Sequence, residues 1–315
     1  MLGGNGGFGA ERGGSRSLLT LVDRANAGSG NLNQVDEGRA AMTSVAGATA
    51  IITGAGSGIG QASAMSLARR GARVVVADIN VDGAQETAAA IEAAGGTAIG
   101  VPCDVASDSA FDELKAVALT RFGQVDVVMN NVGVLTRGLP DHLPVAEWQR
   151  ILDTNLLSVV RSNAVFLPLL IEQAHGHIVN TASFAGLFTY SYDRLPYAAS
   201  KAAIVQMSEG LRLYLQPKGI GVTVLCPGPV LTNIVHSLPP AFGPEIATAG
   251  PGEQFPLLTA DVVGEQVAEA IEKDTFMLYT HEEVGGLLVE RATDWNAFID
   301  SQTARVARIS GSAAG

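Results

Sequence analysis

From Ala48 onward, short apolar runs alternate with longer segments that end on glycine or polar residues. Ala48–Thr53 reads as a buried strand, followed by a glycine-rich turn and a helix from Ser57 to Arg70 with Gly71 as its stop. The same alternation predicts strands at Val74–Asp78, Ala98–Cys103, Val125–Asn130, His177–Thr181, Val222–Cys226 and Phe276–Thr280. Helices are expected at 81–94, 107–122 (with Asp104 or Ser107 as cap), 145–173, 197–215 and 261–273, with one closing helix at 282–308. Short strands, apolar on both faces and each followed by a helix, imply parallel pairing with helices on both sides of the sheet. The expected fold is therefore α/β, a doubly wound parallel sheet of seven strands in one domain covering residues 42–315. Ligands of such sheets sit beyond the carboxyl ends of the strands. That directs attention to the residues after Thr53, Asp78, Cys103, Asn130, Ser183 and Cys226.

Residues 1–41 stand apart. They hold 10 of the 37 glycines, show no sustained period and balance four Arg against four acids, which predicts a disordered extension, with Met42 as an alternative start. The formal charge of −11 then belongs wholly to residues 42–315. A surface that acidic argues against nucleic acid or an anionic membrane as partner. No apolar run reaches the roughly 18 residues of a spanning helix, and Leu18–Val22 is too short for the core of a signal peptide. The 315-residue chain can bury a large core without staples, and its two cysteines, Cys103 and Cys226, fit a reducing compartment, so a cytoplasmic location is expected.

Two constellations carry chemistry. The first is the turn Thr53-Gly54-Ala55-Gly56-Ser57-Gly58-Ile59-Gly60, between a strand and a helix. Amides at a helix N-terminus attract an anion, and glycines allow its close approach. The alternative is a tight turn without a ligand. Asp78 tips the balance: it ends the second strand, eighteen residues past Gly60, where an acid accepts hydrogen bonds from an adenosine ribose and repels a 2′-phosphate. Ser57, Ile79 and Asn80 nearby are neutral, so NAD is favoured over NADP. The second constellation is Tyr197 and Lys201, at i and i+4 on one helix face. An ammonium close to a phenol favours phenolate and brings a proton shuttle toward neutral pH. Ser183, fourteen residues earlier at a strand end, offers a hydroxyl to the same substrate oxygen.

These motifs, in this order, resemble the classical short-chain dehydrogenase/reductase family, with its Rossmann-type sheet, over residues 46–282. The glycine motif matches Thr53, Gly54, Gly58 and Gly60, with Ser57 and Ile59 between them; an acid-plus-valine pair matches Asp104 and Val105; and Asn130-Asn131-Val132-Gly133 matches the family's NNAG with Val for Ala. Asn155, Ser183, Tyr197 and Lys201 match the catalytic set, and Pro227, Gly228, Val230 and Thr232 match the PGxVxT motif. The resemblance implies that Tyr197 moves the proton, Lys201 lowers its pKa and binds the nicotinamide ribose, Ser183 polarises the carbonyl and Asn155 holds a water. It also implies that Asp104 and Val105 touch the adenine, that Asn131 and Gly133 line the cofactor groove, and that the Pro227–Thr232 loop borders the nicotinamide. Homodimers or homotetramers through the helices at 145–173 and 197–215 are implied as well.

The substrate is less legible. Phe184–Pro196 and Leu231–Leu258, the latter with the features of a lid, are apolar and aromatic, and Phe184, Phe188, Tyr192 and Leu238 are the expected substrate contacts. They suggest a hydrophobic secondary alcohol or ketone, aromatic ones included. Arg194 could pair with a substrate carboxylate, but Asp193 beside it favours a solvated loop. The C-terminal part and the Ser–Tyr spacing resemble bacterial dehydrogenases that oxidise benzylic alcohols of lignin-derived aryl ethers. Alternatives are an NADP-linked 3-oxoacyl or carbonyl reductase and a non-catalytic dinucleotide sensor. The histidines, among them His175, His177, His236 and His281, suggest no metal site, and the cysteines read as buried spectators.

Overall fold

The computed structural model describes residues 43–232, 240–244 and 249–312. The expectations for residues 1–41, Met42, His236 and Leu238 lie outside the described residues, as does part of the 231–258 segment. Strand β1 (Thr49–Thr53) is buried at every position, because its neighbours on both sides are strands and helices cover both its faces. It is followed by α1 (Gly58–Arg69), β2 (Arg73–Asp78), α2 (Val81–Ala93), β3 (Thr97–Pro102), α3 (Ala110–Phe122), β4 (Val127–Asn130), α4 (Val145–Leu152) and α5 (Ser158–Gln173). Then come β5 (Gly176–Thr181), α6 (Leu195–Leu215), β6 (Ile220–Cys226), the short pair β7 (Val230–Leu231) and β8 (Leu258–Thr259), α7 (Ala260–Glu272), β9 (Met277–Tyr279), α8 (Val284–Thr293) and α9 (Trp295–Ser312).

Seven strands form one parallel sheet in the order β3-β2-β1-β4-β5-β6-β9. This is the doubly wound arrangement, and the order reverses between β1 and β4, where such sheets open a crevice. Alternation along the strands divides the core. Ile52, Val74, Val76 and Met129 pack with Leu67 of α1 and with Val267 and Ile271 of α7. Ile51, Val75, Ala77 and Val128 face Phe111, Leu114 and Phe166 of α3 and α5, where the two phenyl rings meet edge to face at 6.4 Å. Each such fully buried Ile, Val, Leu or Phe contributes roughly 1.5–3 kcal/mol.

Four elements differ from the sequence expectation. The 145–173 helix is two helices joined by a π-turn, Asp153–Leu157, which inserts an extra residue and carries Asn155. By length and composition this whole stretch is long and apolar enough to cross a membrane, against the expectation that no apolar run reaches that length. Here its Phe166 and Leu170 are buried in the core clusters. Helix α3 begins at Ala110, not Ser107, with Ser109 at its N-cap, while Asp104 accepts the Ala106 amide at 3.0 Å in its own turn. The closing helix 282–308 is broken at Asp294, which leaves the helical conformation and caps α9 by accepting the Asn296 and Ala297 amides, both at 3.0 Å. The pair β7–β8, parallel with Val230 opposite Leu258, was not anticipated.

A buried ionic cluster closes the end of the sheet where β5 and β6 begin. Arg212 holds Asp274 through two bonds of 2.5 and 2.7 Å, and His177, fully buried, meets the Thr223 hydroxyl at 2.8 Å. Thr223 donates to the Thr275 carbonyl, so the His177 Nε2 carries the proton and Nδ1 is left 4.0 Å from Asp274 without a hydrogen-bond partner. Burial lowers His177 to about 4, with Asp274 opposing and Arg212 assisting. A histidine chain in the unfolded state takes a proton near pH 6.5, so between pH 6.5 and about 4 unfolding takes up a proton and stability falls as pH falls. The total loss is on the order of 3 kcal/mol. Urea unfolding at pH 7.5 and pH 4.5 should show a steeper loss for the wild type than for His177→Gln; equal losses would contradict a neutral buried His177.

Candidate active site

The glycine turn is shaped by close approach. Gly54 and Gly58 have φ of +64° and +56°, which L side chains rarely adopt, so the chain turns sharply from β1 into α1. A Cβ on Gly60 would lie 2.2 Å from the Gly54 carbonyl oxygen and 2.6 Å from the Asn131 amide nitrogen, so α1 can press against the turn only without a side chain there. The start of α1 lies beside the loop after β6: a Cβ on Gly58 would meet the Thr232 methyl at 3.2 Å. Ser57 is exposed, Ile59 half-buried, and the α1 N-terminus has no acidic side chain in its first turn. That leaves its amides available to an anion.

Asp78, at the end of β2, receives two backbone amides, from Gly56 at 2.8 Å and from Asn80 at 2.8 Å. A Cβ on Gly56 would come within 3.0 Å of that carboxylate, so the turn and the acid are fitted to each other. Ile79 beside it is 72% exposed. Asp104 is exposed and Val105 buried in the core under β2 and α3. Val132, the departure from the family pattern, packs against that same cluster.

Asn131 joins the turn to the catalytic strand. Its side-chain amide donates to the Thr53 and Gly54 carbonyls at 3.2 and 3.3 Å, and its oxygen accepts from the Thr181 hydroxyl at 3.3 Å. The Thr181 carbonyl in turn accepts from Lys201 Nζ at 2.7 Å. Lys201 is buried, and burial lowers it to about 8. A Cβ on Gly133 would meet that ammonium at 3.2 Å. Asn155 is fully buried on the π-turn. It exchanges hydrogen bonds with the backbone of Val134, at 2.8 and 3.0 Å, and donates to Ser200 at 3.1 Å. Its side chain therefore pins the loop after β4 onto α6.

Ser183 and Tyr197 meet. The Ser183 oxygen accepts the Ala185 amide at 3.1 Å, capping a short turn, and its hydroxyl lies close enough to the Tyr197 and Tyr190 phenols to pull both downward. Burial pushes Tyr197 up to about 12, while Ser183 and Arg194 pull it down and Tyr190 adds to the rise. Arg194 is thus a second cation acting on the phenol beside Lys201, whose ammonium donates to the Thr181 carbonyl with its nitrogen 5.7 Å from the Tyr197 ring centre. Arg194 is not solvated. Asp193 is 1% exposed, bonded by the Ser191 hydroxyl and by Arg194 at 2.8 Å, and the guanidinium lies 5.7 Å from the Tyr190 ring centre. The apolar loop that holds these groups turns inward, and burial selects a paired rather than a hydrated guanidinium.

Phe184 and Phe188 are 1% and 2% exposed and belong to an aromatic cluster with Tyr190, Phe255, Phe298 and His281. They form the packed wall behind Ser183. Tyr192 is 36% exposed. Pro227, Gly228, Val230 and Thr232 run along the loop beyond β6. Cys226 is buried and pushed up to about 12, as is Cys103, so both thiols are inert. A cavity of about 340 Å³, lined among others by Met65, Ile91 and Gly95, lies at the opposite ends of α1 and α2, away from this chemistry.

Residues 48–241 match the family profile described as short chain dehydrogenase. The chain belongs to that family. It is 36% identical over 187 residues to a ketoacyl reductase, HetN, of a Nostoc species, an alignment covering 59% of this chain and 65% of that protein, so just under two thirds of that relative is spanned. It is 36% identical over 200 residues to an uncharacterized oxidoreductase of Staphylococcus aureus, covering 64% of this chain and 85% of the relative. Among solved structures, a short chain dehydrogenase/reductase from Burkholderia phymatum in complex with NAD superposes with a TM-score of 0.72 at 31% identity, over 81% of this chain and 96% of that one. The apo form of LigD from a Sphingobium species gives 0.67 at 28% identity, over 81% and 97%. The protein is an oxidoreductase of this family.

Sequence reasoning did not single out Thr280 and His281, which adjoin the site. The signal was available: they follow β9 at the same edge of the sheet as the other site residues. Gly60→Ala should test the packing of the turn. It is expected to lower stability by about 3 kcal/mol in urea unfolding and to weaken NADH binding at least tenfold, about 1.4 kcal/mol, by fluorescence titration. A wild-type-like variant would disprove the close approach.

Proposed function

We propose that the protein is an NAD-dependent oxidoreductase that interconverts a hydrophobic secondary alcohol and its ketone. The observation that carries this is the buried Tyr197 beside Lys201, with Ser183 close enough to act on its phenol and with Thr181 and Asn131 tying Lys201 to the glycine turn. The residues fit a nicotinamide dinucleotide. The α1 N-terminus and its glycines suit the pyrophosphate, Asp78 suits the adenosine ribose, and Lys201 and the loop after β6 suit the nicotinamide end. The Burkholderia relative's complex with NAD supports the same assignment. When bound, this cofactor supplies or accepts a hydride.

In the reductive direction Tyr197 gives its proton to the carbonyl oxygen as hydride reaches the carbonyl carbon. The phenol is protonated at neutral pH, and the pull of Ser183 and Arg194 against the effect of burial favours its giving up that proton. Ser183, whose hydroxyl lies close to Tyr197, polarises the same oxygen. In the oxidative direction Tyr197 must accept the alcohol proton, and Ser183 and Arg194 stabilise its phenolate together with Lys201. Lys201, largely charged below about pH 8, adds positive potential and suits the ribose hydroxyls. Homodimers or homotetramers through α4–α5 and α6 belong to the same proposal.

The expected contacts Phe184 and Phe188 are packed into the core and leave the substrate to other groups, while the exposed Tyr192 keeps aromatic and benzylic alcohols in the test panel. A second reading, reduction of a 3-oxoacyl substrate with NADP, is favoured by the name of the Nostoc relative. Asp78 separates the two. Its carboxylate, aimed by two amides, opposes a 2′-phosphate, and like charges a few ångströms apart repel by several kcal/mol at a protein surface.

Ketones and secondary alcohols read by nicotinamide absorbance test the reaction. Tyr197→Phe should reduce turnover by roughly a thousandfold and leave NADH affinity unchanged; retained turnover would remove Tyr197 from its role. Fluorescence titration should show NADH bound at least tenfold more tightly than NADPH, about 1.4 kcal/mol. Asp78→Asn should narrow that gap, and tighter NADPH binding by the wild type would favour the second reading.

A further inference from the structure

One buried hydrogen-bond chain at the edge of the site is unused by the mechanism above. The Gly228 amide donates to the Thr280 hydroxyl oxygen at 2.9 Å. That oxygen lies 2.8 Å from His281 Nδ1, and His281 Nε2 lies 2.7 Å from the Pro256 carbonyl. A carbonyl can only accept, so Nε2 carries the proton. In the neutral ring Nδ1 is then an acceptor, and the Thr280 hydroxyl must donate to it. Every member is satisfied in one direction, from Gly228 through Thr280 and His281 to Pro256. Thr280 is 5% and His281 4% exposed, so neither has water to substitute for a lost partner.

The chain joins three segments that carry the site. Gly228 belongs to the loop after β6, whose Pro227 carbonyl accepts the Phe184 amide at 2.9 Å, one residue from Ser183. The far end of that loop reaches the glycine turn through Thr232, and β7 pairs there with β8, two residues beyond Pro256. The His281 ring itself packs on Phe184 at 5.7 Å and on Phe255 at 5.8 Å, and those two phenyl rings meet at 5.1 Å. The fit is tight: a Cβ on Gly228 would lie 2.7 Å from both His281 Nδ1 and the Phe184 ring.

We propose that Thr280 and His281 are positioning residues for the reaction, the directed chain from Gly228 to Pro256 holding the loop after β6 and the β7–β8 stem in register with Ser183. This role rests on the oxidoreductase reading above. It acts through Ser183 and through the cofactor-facing loop, not by contact with the reacting atoms.

The test uses the full-length protein with Thr280→Val, His281→Phe, their double variant and His281→Asn. NADH is the binding probe, and the best aryl ketone of the wild type is the kinetic probe. Each single variant should weaken NADH binding or lower kcat/KM by roughly five- to tenfold, the worth of one net hydrogen bond. The double variant should be no worse than the worse single, because both break the same chain. His281→Asn, whose side-chain oxygen can replace Nδ1 as the acceptor from Thr280, should recover part of the loss. Thr280→Val is near in shape to the native residue and decides the matter if His281→Phe does not fold. Constants within twofold of wild type, a fall in Tm without kinetic change, or fully multiplicative losses would each overturn the proposal. Absence of NADH binding by the wild type would instead overturn the functional reading and this role with it, whereas intact NADH binding and turnover in the variants would overturn this role alone.

Discussion

Three strand ends meet at the Asn131 side chain. Its amide takes the Thr53 and Gly54 carbonyls at the end of β1, and its oxygen takes the Thr181 hydroxyl at the end of β5. Thr181 then holds Lys201. The glycine turn and the catalytic lysine are therefore joined by three consecutive hydrogen bonds, none of which runs through solvent-exposed loop. The arrangement is available because parallel strands all finish at the same edge of the sheet, and the order reverses between β1 and β4, beside Asn131. The absence of a side chain at Gly60 is the steric condition for it, since that position faces both the Gly54 carbonyl and the Asn131 amide.

Burial governs the chemistry of what is assembled there. A lysine and a tyrosine both out of water move in opposite directions, Lys201 down to about 8 and Tyr197 up to about 12, because each loses the hydration that favours its charged form. Burial alone would leave the phenol reluctant to give up its proton. Its counterweights, Ser183 and Arg194, arrive from the turn after β5 and from the N-cap of α6. Arg194 can serve only because Asp193 and Ser191 hold it; an unpaired guanidinium in that position would carry a desolvation penalty of several kcal/mol. The apolar wall behind these groups is continuous from Phe184 through Phe188 to Phe298, so the C-terminal helices belong to the architecture of the site.

Much of this was legible in the chain. Strand and helix positions followed from apolar runs punctuated by glycine, and the parallel seven-stranded sheet followed from the β–α alternation. Gly54, Gly58, Gly60, Asp78, Ser183, Tyr197 and Lys201 were found by spacing because each sits at a fixed offset from an element that the apolar pattern locates. What escaped has physical reasons. The π-turn at Asp153–Leu157 carries no glycine or proline to mark it, so Asn155 reads as part of one unbroken helix. The break at Asp294 did carry a signal, an Asp followed by two residues whose amides it could cap, but a helical pattern on both sides hid it. Arg194 next to Asp193 looks like a hydrated pair in one dimension; whether such a pair is wet or dry depends on Tyr190, Ala249 and α9 folding over it.

The sequence by itself determined most of the elements, their parallel pairing and the residue types at the strand ends, because these depend on local periodicity and on backbone sterics. Tertiary structure alone decided which charges act on Tyr197, why the Phe184 and Phe188 rings are packed away, and how Thr280 and His281 come to span Gly228 and Pro256. Those outcomes turn on distances between segments separated by tens of residues, and on the exclusion of water that only packing imposes.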